Sequence, residues 1–383
     1  MTYKKKKLFT PGPTEIPKIV FTAMSEIEHH RTSQFEKKVQ EIQKGLQYIF
    51  QTTQPVISLV STGTGAMEAA ITNLFSPGEK VLVIDGGKFG ERWAEISKTY
   101  GLEVITLKVP WGQALKMDEF KKSFSEHNDI AGVLVQASET STGVAHPIYE
   151  MARFLQDKKT QRVDTLFVVD AISALVTMNL PFDEWKIDAM VAGSQKGFML
   201  PPGLSFIALS QKAWDKAASS KLPKYYFDLV KEKACLEKNT TAYTTAVTLM
   251  LGLKKALELL KEEGLENIFK RYARFSQATQ TCIQEWGLEV FPEIGAPGMV
   301  AVVSPQNVKS STIVKALREK FDMTIAAGQA EMKDKIFRIS YMGDIGHNDI
   351  LYLLKSLEKV LQELNIPINT TRALKKAQKI LNS

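Results

Sequence analysis

The segment Thr165-Leu166-Phe167-Val168-Val169-Asp170 is a short apolar run that ends in a carboxylate. Such a run is typical of a buried strand in a parallel sheet. Twenty-six residues after Asp170, the sequence Ser194-Gln195-Lys196-Gly197 places a lysine just beyond a second apolar segment, 189–192. Because sites in parallel sheets lie at the carboxyl ends of the strands, we expect Asp170 and Lys196 to lie close together.

Residues 55–209 alternate short apolar segments with helical patterns. In the helical patterns apolar residues recur three and four positions apart, as at Met67, Ala70, Ile71 and Leu74. This alternation predicts βαβ units and an α/β fold with a mostly parallel seven-stranded sheet. The seven candidate strands are 56–60, 80–84, 103–107, 132–136, 166–170, 189–192 and 205–209.

The pattern changes after about residue 253 and predicts a smaller C-terminal α+β domain. Its expected elements are a long helix over 245–286 that is broken near Gly264, strands at 299–303 and 336–340, and a closing helix at about 348–364. We therefore divide the chain into three parts. They are an N-terminal arm (1–20), a large domain (21–255) and the small domain (256–383).

The composition excludes several classes of protein. Of 383 residues 44% are hydrophobic, enough for a large core. The net charge of +7 is spread among 42 acidic residues, without the basic and aromatic interleaving that nucleic-acid binding needs. Cys235 and Cys282 are too few for a thiolate metal centre, and the five histidines lack metal-ligand spacing. No apolar run is long enough for a bilayer, so we expect no nucleic-acid, metal or membrane partner and a cytoplasmic location.

Asp170 and Lys196 carry the side chains that pyridoxal phosphate chemistry needs. A carboxylate at the end of a buried strand can keep a pyridinium nitrogen protonated. A lysine at a neighbouring strand end can form a Schiff base with the cofactor aldehyde. The pair therefore suggests a pyridoxal phosphate site.

The segment Ser61-Thr62-Gly63-Thr64-Gly65 follows a candidate strand and opens a helix. Its backbone N–H groups and hydroxyls would point at an anion such as phosphate. Glu68 stands where a dinucleotide fingerprint needs its third glycine, and the segment lacks the Gly-Lys-Ser/Thr of a P-loop. A plain turn between strand and helix is an equally good interpretation.

Other candidate residues each have two interpretations. The segment Glu139-Thr140-Ser141-Thr142-Gly143 offers hydroxyls to the site or forms a hydroxyl-rich turn. Phe89, in a glycine-rich loop, stacks on a flat ring or belongs to the core. Arg338, in an apolar strand, clamps a substrate carboxylate or forms a buried ion pair within the chain. Arg31 is a rival anion binder, with a surface ion pair as its alternative.

Taken together, these motifs resemble the class V aminotransferases of the fold type I pyridoxal phosphate enzymes, in the alanine–glyoxylate and serine–pyruvate aminotransferase subgroup. The resemblance runs almost from end to end. Ser194-Gln195-Lys196 argues against the more distantly similar 2-aminoethylphosphonate transaminases, which usually carry an asparagine before the lysine. The motifs that carry the resemblance are Thr10-Pro11-Gly12-Pro13-Thr14, Ser61-Thr62-Gly63-Thr64-Gly65, Glu139-Thr140-Ser141-Thr142-Gly143, Val168-Val169-Asp170, Ser194-Gln195-Lys196 and Phe337-Arg338-Ile339.

The resemblance implies a role for each matching residue. Lys196 would bond to the cofactor and Asp170 would pair with its ring nitrogen, while Gly12 and Arg338 would bind the substrate. The active unit would be a homodimer with shared sites. The other implied cofactor ligands are Thr62, Gly63, Thr64 and Gln195 at the phosphate, Phe89 on the ring face, Thr140 near the ring hydroxyl, and Thr241 and Thr244 at the phosphate from the opposite subunit.

Two positions depart from the animal alanine–glyoxylate enzymes. Phe89 replaces their stacking tryptophan and Thr241 replaces a tyrosine, so ring stacking and phosphate affinity are expected to differ. Some relatives of this subgroup are labelled as soluble hydrogenase subunits. Hydrogen activation needs thiolate-bound metal, which the two separated cysteines do not supply.

The sequence thus predicts a pyridoxal phosphate aminotransferase that moves an amino group from a small amino acid, alanine or serine, to glyoxylate or pyruvate. Alternatives are an aspartate-type or aminoethylphosphonate-type transaminase, or a lyase or sulfur-removing relative, for which Cys235 and Cys282 lack the mobile-loop context. A pyridoxal phosphate-binding module without turnover and a nicotinamide dehydrogenase are the options from other classes. The donor and acceptor stay open, because one methylene changes specificity by only about 10- to 200-fold.

Overall fold

The computed structural model describes residues 6–157 and 165–382. Within these residues the strands form one large sheet and three smaller ones. In chain order the strands are β1 (Lys7–Leu8), β2 (Val56–Leu59), β3 (Lys80–Asp85), β4 (Glu103–Lys108), β5 (Ile130–Gln136), β6 (Ser138–Glu139), β7 (Val144–Ala145), β8 (Leu166–Asp170), β9 (Ala189–Gly193), β10 (Ser205–Leu209), β11 (Met299–Val303), β12 (Met323–Thr324), β13 (Ala326–Ala327) and β14 (Ile336–Ser340).

The helices cover both faces of the large sheet and surround the smaller ones. In chain order they are α1 (Lys18–Met24), α2 (Ser33–Phe50), α3 (Gly63–Leu74), α4 (Lys88–Thr99), α5 (Met117–Ser125), α6 (Ile148–Gln156), α7 (Gln211–Ser219), α8 (Leu229–Leu236), α9 (Val247–Glu263), α10 (Leu265–Glu285), α11 (Ser310–Phe321), α12 (His347–Glu363) and α13 (Thr370–Leu381), with a 3₁₀ turn at Ala330–Met332.

The central sheet has seven strands in the order β2-β10-β9-β8-β5-β3-β4. The strands from β9 to β4 are parallel to their neighbours, whereas β10 runs antiparallel to both β2 and β9. All seven predicted strands are present, with bounds within two residues of those expected. The prediction of an α/β fold with a mostly parallel seven-stranded sheet is therefore confirmed.

Alternate residues of each central strand belong to two different apolar cores. In β8, Val168 lies in the core on one face and Val169 in the core on the other. The core that contains Val169 also contains apolar residues of α2 and α9. The core that contains Val168 also contains residues of α3 and α4. Because both faces are covered, the strand reads as a continuous apolar run rather than an alternating one.

The second sheet has the order β11-β14-β13 and is antiparallel. Its central strand β14 carries Arg338 between Ala301 of β11 and Ala326 of β13. The strands predicted at 299–303 and 336–340 match β11 and β14.

The N-terminal segment links the two sheets. Strand β1 pairs in parallel with β12, and the amide of Phe9 continues this pairing by donating to the carbonyl of Thr324 at 2.8 Å. The chain then passes beside Lys196, where Thr14 Oγ1 donates to the carbonyl of Lys196 at 3.1 Å. The segment therefore lies between the C-terminal half and the end of the central sheet.

Gly264 separates two consecutive helices, as predicted. It ends α9 and begins α10 with φ of +81°, in the left-handed region that glycine adopts without steric strain. The predicted boundary at residue 255 falls inside α9, and the division into domains stays a prediction. The closing helix expected at 348–364 corresponds to α12.

The C-terminal tail forms a helix that the sequence patterns did not indicate. Helix α13 packs against α10 and α12, with Ala373, Ala377 and Leu381 buried and its basic residues outside. None of the helices in the described ranges has both the length and the apolar character that crossing a membrane would need.

Candidate active site

Asp170 and Lys196 lie at the carboxyl edge of the central sheet. Asp170 is the last residue of β8 and pairs with Val191 of the parallel strand β9. Strand β9 ends at Gly193, three residues before Lys196. Both charged side chains are buried, with 5% of Asp170 and 9% of Lys196 exposed. The structure therefore brings the two residues to one edge of the sheet, as the strand pattern predicted.

Burial shifts the pKa values of both ionisable groups towards neutral pH. Loss of solvent raises the pKa of Asp170 to about 7, against a bond from the amide of Ile172 (2.8 Å) that lowers it. Loss of solvent also lowers the pKa of Lys196 to about 8, against the charge of Asp170, which raises it. An amine with this pKa can take up or release a proton near pH 7 at little cost.

The N-terminal segment covers the amine of Lys196. Its Nζ donates to the carbonyl oxygen of Pro11. Gly12 has φ of +109°, and a Cβ added there would lie 2.7 Å from Lys196 Nζ. Only glycine satisfies both the backbone conformation and the close approach. Gly12, predicted at the substrate, thus lies directly against the lysine.

Thr140 and Arg338 come together from different sheets. Arg338 Nη1 donates to the carbonyl of Thr140 at 2.7 Å, and Nη2 donates to the carbonyl of Ala327 at 2.7 Å. The Thr140 hydroxyl lies 2.6 Å from that of Ser173, three residues after Asp170. A residue of the second sheet is therefore held against the loops that follow β5 and β8.

Arg338 is a buried cation whose hydrogen-bond partners are carbonyl groups. Only 3% of the residue is exposed, and burial lowers its pKa to about 10, against the charge of Glu139, which raises it. Among the described residues no carboxylate lies within ion-pair distance of it. The alternative of a buried ion pair within the chain is therefore wrong, and part of its donor fork is free for an external carboxylate.

The Ser61–Gly65 turn begins α3 at Gly63. Its N-cap residue Thr62 makes no side-chain capping bond, and the first amides of a helix have no acceptor within it. A Cβ on Gly63 would lie 2.5 Å from Ile172, which places the turn against the loop after Asp170. Gln195 adds a buried side-chain oxygen that has no partner within the described ranges. Thr62 itself is exposed.

Arg92 is a residue of this region that the sequence interpretation missed. It donates from Nη1 to the hydroxyl of Thr64 at 3.1 Å, and its guanidinium lies 4.8 Å from the ring centroid of Phe89. Its charge also lowers the pKa of Asp170 and Lys196. The sequence contains a signal for Arg92, because it follows Phe89 by three positions and residues three apart on a helix share a face.

Glu139 is a second missed residue, although its motif was singled out. The side chain is fully buried and accepts hydrogen bonds from the loop that carries Phe89 and from its own loop. Burial raises its pKa and these hydrogen bonds lower it. The available signal was an acidic residue three positions beyond the apolar strand β5, since an acidic side chain needs several donors when it is buried.

Thr241 and Thr244 precede α9, in a cleft whose lining does not include Lys196 or Asp170. They line a shallow cleft of about 270 Å³ with residues 58–60 and Tyr226. The Thr241 hydroxyl donates to the carbonyl of Tyr243 at 2.6 Å. Arg31 donates to the hydroxyl of Thr240, next to Thr241, at 2.6 Å. This contact is a hydrogen bond and not the surface ion pair that was the alternative to its role as a rival anion binder.

The cysteines do not form a metal centre. Cys282 is buried, which raises the pKa of its thiol, and Cys235 is half-buried on α8. Across residues 6–157 and 165–382 no group of three or more His, Cys, Asp or Glu side chains is arranged to hold a metal ion.

Comparison with known proteins gives consistent results. The sequence model of the aminotransferase class-V family matches residues 8–350. The chain is 38% identical to a Synechococcus protein named "Soluble hydrogenase, small subunit", with 94% of each chain covered. It is 34% identical to the L-aspartate–glyoxylate aminotransferase of Paracoccus denitrificans, covering 97% of this chain and 95% of the relative.

The same family appears among solved structures. The ureidoglycine–glyoxylate aminotransferase of Bacillus subtilis superimposes with a TM-score of 0.93 at 27% identity, covering 100% of both chains. The family match and the two aminotransferase relatives confirm the resemblance stated from the sequence motifs. The chain belongs to the class V aminotransferases.

Proposed function

We propose that this aminotransferase uses pyridoxal phosphate to move an amino group from a small amino acid to glyoxylate or pyruvate. The observation that carries the proposal is a set of three buried side chains: Asp170 and Lys196 at the carboxyl edge of the central sheet, and Arg338, which reaches the adjoining loop from the second sheet. A lysine with a pKa of about 8 supports proton transfer, and an arginine without a carboxylate partner supports recognition of an amino or oxo acid.

The residues present fit the cofactor. The amides of Gly63 and Thr64 at the start of α3 would donate to a phosphate at one corner, where Gln195, whose buried side-chain oxygen has no partner among the described residues, adds an amide group. Asp170 provides a buried carboxylate for the ring nitrogen, and Thr140 a hydroxyl beside it. Phe89, whose ring packs against Arg92, would lie on the ring face.

Pyridoxal phosphate, when bound, supplies an aldehyde that bonds to amines and a ring that delocalises negative charge. Lys196 would hold the cofactor and then carry a proton to and from the substrate Cα, since its pKa lies near 8. Asp170 would keep the ring nitrogen protonated by its negative charge. The burial of both groups excludes water from the proton transfer.

Arg338 would fix the substrate by its α-carboxylate. Its two carbonyl partners hold the guanidinium in place, and the planar fork suits a carboxylate. This contact would select the Cα bond that stands perpendicular to the ring. Gly12, whose backbone packs against Lys196 and leaves no room for a side chain there, would lie beside the substrate.

Glyoxylate is the acceptor that the relatives support. Both the Paracoccus and the Bacillus proteins are named for glyoxylate, but with different donors. Alanine and serine are the donors we propose, with an aspartate-type donor as the alternative. The hydrogenase name of the Synechococcus relative is not carried over, because Cys235 and Cys282 form no thiolate metal site.

We propose a homodimer in which Thr241 and Thr244 reach the phosphate of the opposite subunit. In support, the cleft that these threonines line is bordered by exposed apolar side chains, with Tyr225 78% and Tyr226 43% exposed. An apolar border of this kind is what a second subunit would cover. The cytoplasmic location stays a prediction of the sequence.

The first test is covalent labelling of the proposed lysine. Borohydride reduction of the cofactor-loaded protein should fix the label on Lys196, because its amine is the one buried beside Asp170. Peptide mapping by mass spectrometry gives the position. Lys108→Ala, which removes an exposed lysine, should leave the labelling unchanged. A label on any lysine other than Lys196 would contradict the assignment.

Asp170→Asn should lower turnover by at least ~10²-fold, because the ring nitrogen loses the charge that keeps it protonated. Steady-state kinetics with saturating cofactor measure the effect. The control is Asp188→Asn. Asp170 pairs with Val191 of β9, and Asp188 lies three residues before Val191, which is roughly 10 Å along the strand direction. Turnover near that of the wild type in Asp170→Asn would show that another group holds the proton.

Arg338→Lys should weaken the binding of every amino and oxo acid by roughly 1.5 to 3 kcal/mol, because it keeps the charge but loses the planar fork. Dissociation constants from spectroscopic titration with several donors and acceptors measure this. Arg31→Lys is the matched control at the exposed rival position. If Arg31→Lys lowers the affinities and Arg338→Lys does not, the carboxylate site lies at Arg31.

Heterodimers test the shared site. Chains with Lys196→Ala and chains with Thr244→Glu, each inactive alone, should recover activity when mixed, because one site regains an intact lysine and an intact partner threonine. A mixture of Lys196→Ala with Arg338→Ala should stay inactive, since both residues belong to one chain's site. If the first mixture forms mixed dimers but stays inactive, the phosphate site does not cross the interface.

A further inference from the structure

We infer that Glu139 is the positioning residue of this site, because its carboxylate ties the helix start that carries Phe89 to the loop that carries Thr140. Each of its oxygens serves a different segment of the chain. The inference rests on the proposed function, in which Phe89 and Thr140 contact the cofactor. Glu139 would act through these two residues rather than touch substrate or cofactor itself.

The carboxylate is saturated with hydrogen bonds. Oε2 accepts from the amides of Phe89 and Gly90 and from Gln136 Nε2, each at 3.1 Å. Oε1 accepts from the amide of Ser141 at 3.0 Å and from its hydroxyl at 2.5 Å. Since a buried carboxylate without donors would be costly, these five bonds fix its position and that of all their donors.

Glu139 replaces the local cap of α4. The N-cap residue of this helix is Gly87, which has no side chain, so the first amides lack a local acceptor. The carboxylate supplies that acceptor from 50 positions away, and its negative charge suits the positive end of the helix dipole. The position of Phe89 at the helix start therefore depends on a residue of another loop.

Two glycines allow the carboxylate to approach this closely. A Cβ on Gly87 would lie 2.6 Å from the carboxyl carbon of Glu139, and one on Gly90 would lie 2.5 Å from the carbonyl oxygen of Ile84. A side chain at Gly87 would push the start of α4 away from the Glu139 loop, and one at Gly90 would push it away from the end of β3. The close packing indicates that the segment is held at a fixed distance and does not merely lie near Glu139.

The loop that carries Glu139 also reaches the proposed substrate site. Thr140 follows Glu139 directly, its carbonyl accepts from Arg338, and its hydroxyl contacts Ser173. The charge of Glu139 raises the pKa of both Asp170 and Arg338. A displaced Glu139 would therefore move Phe89, Thr140 and Arg338 together and change the charge that Asp170 experiences.

The test compares two substitutions of Glu139 with a matched control. Glu139→Ala removes every acceptor, whereas Glu139→Gln keeps the shape and one acceptor oxygen. The control is Asp188→Asn, whose carboxylate is also buried and accepts from the amide of Phe167 at 2.8 Å and the hydroxyl of Ser210 at 2.9 Å. Asp188 lies at the amino ends of the central strands, away from the site at their carboxyl ends. Its substitution should therefore lower the stability of the protein without altering the site.

The first measurement uses cofactor-free protein and is independent of the proposed function. Hydrogen exchange followed by mass spectrometry should show residues 87–92 exchanging at least ~10-fold faster in Glu139→Ala, because the amides of Phe89 and Gly90 lose a charged acceptor. Asp188→Asn should leave this peptide unchanged. Equal exchange of residues 87–92 in the wild type and Glu139→Ala would overturn the inference. If Glu139→Ala does not fold, Glu139→Gln takes its place, with a smaller increase expected.

The second measurement uses the cofactor-loaded protein. We expect weaker visible circular dichroism and a loss of about 10²-fold in kcat/KM in Glu139→Ala, with partial recovery in Glu139→Gln. Asp188→Asn should keep both values. Faster exchange with unchanged circular dichroism and kcat/KM would contradict the positioning role. A wild-type chain that takes up no cofactor would instead contradict the proposed function.

Discussion

The site depends on the burial of four charged side chains at one edge of a parallel sheet. Glu139, Asp170, Lys196 and Arg338 are each less than a tenth exposed, and an isolated charge at such depth would cost several kcal/mol. Two are acidic and two are basic, and all four hydrogen bond to backbone groups. The surrounding loops are fixed by these bonds, because a loop that moved would leave a buried charge without a partner.

The same burial that constrains the loops makes the site reactive. Water is excluded, so the pKa of Asp170 rises to about 7 and that of Lys196 falls to about 8. In water the pKa values of a carboxyl group and an amine lie several units apart, and neither group exchanges its proton readily at neutral pH. Glu139 and Arg92 adjust this balance from outside the pair, the first by raising the pKa of Asp170 and the second by lowering it.

Membership of the class V aminotransferases defines the carboxylate end of the substrate more firmly than its side chain. Every amino acid and oxo acid has a carboxylate, and Arg338, whose guanidinium is held by two carbonyl groups, is the residue we propose to bind it. Relatives of this chain are named for different donors, aspartate and ureidoglycine, on the same fold. The name of the Synechococcus relative shows that similarity along the whole chain does not by itself transfer an activity.

The sequence by itself determined the seven central strands, the break at Gly264 and the edge at which Asp170 and Lys196 meet, because apolar periodicity and strand direction are local properties. It did not reveal Glu139 as a centre of hydrogen bonds, since its donors lie in segments up to 50 positions away. Nor could it decide between an ion pair and free donors at Arg338, which depended on which groups of another sheet came within reach. Contacts between distant segments are set by packing, so only the tertiary structure decided them.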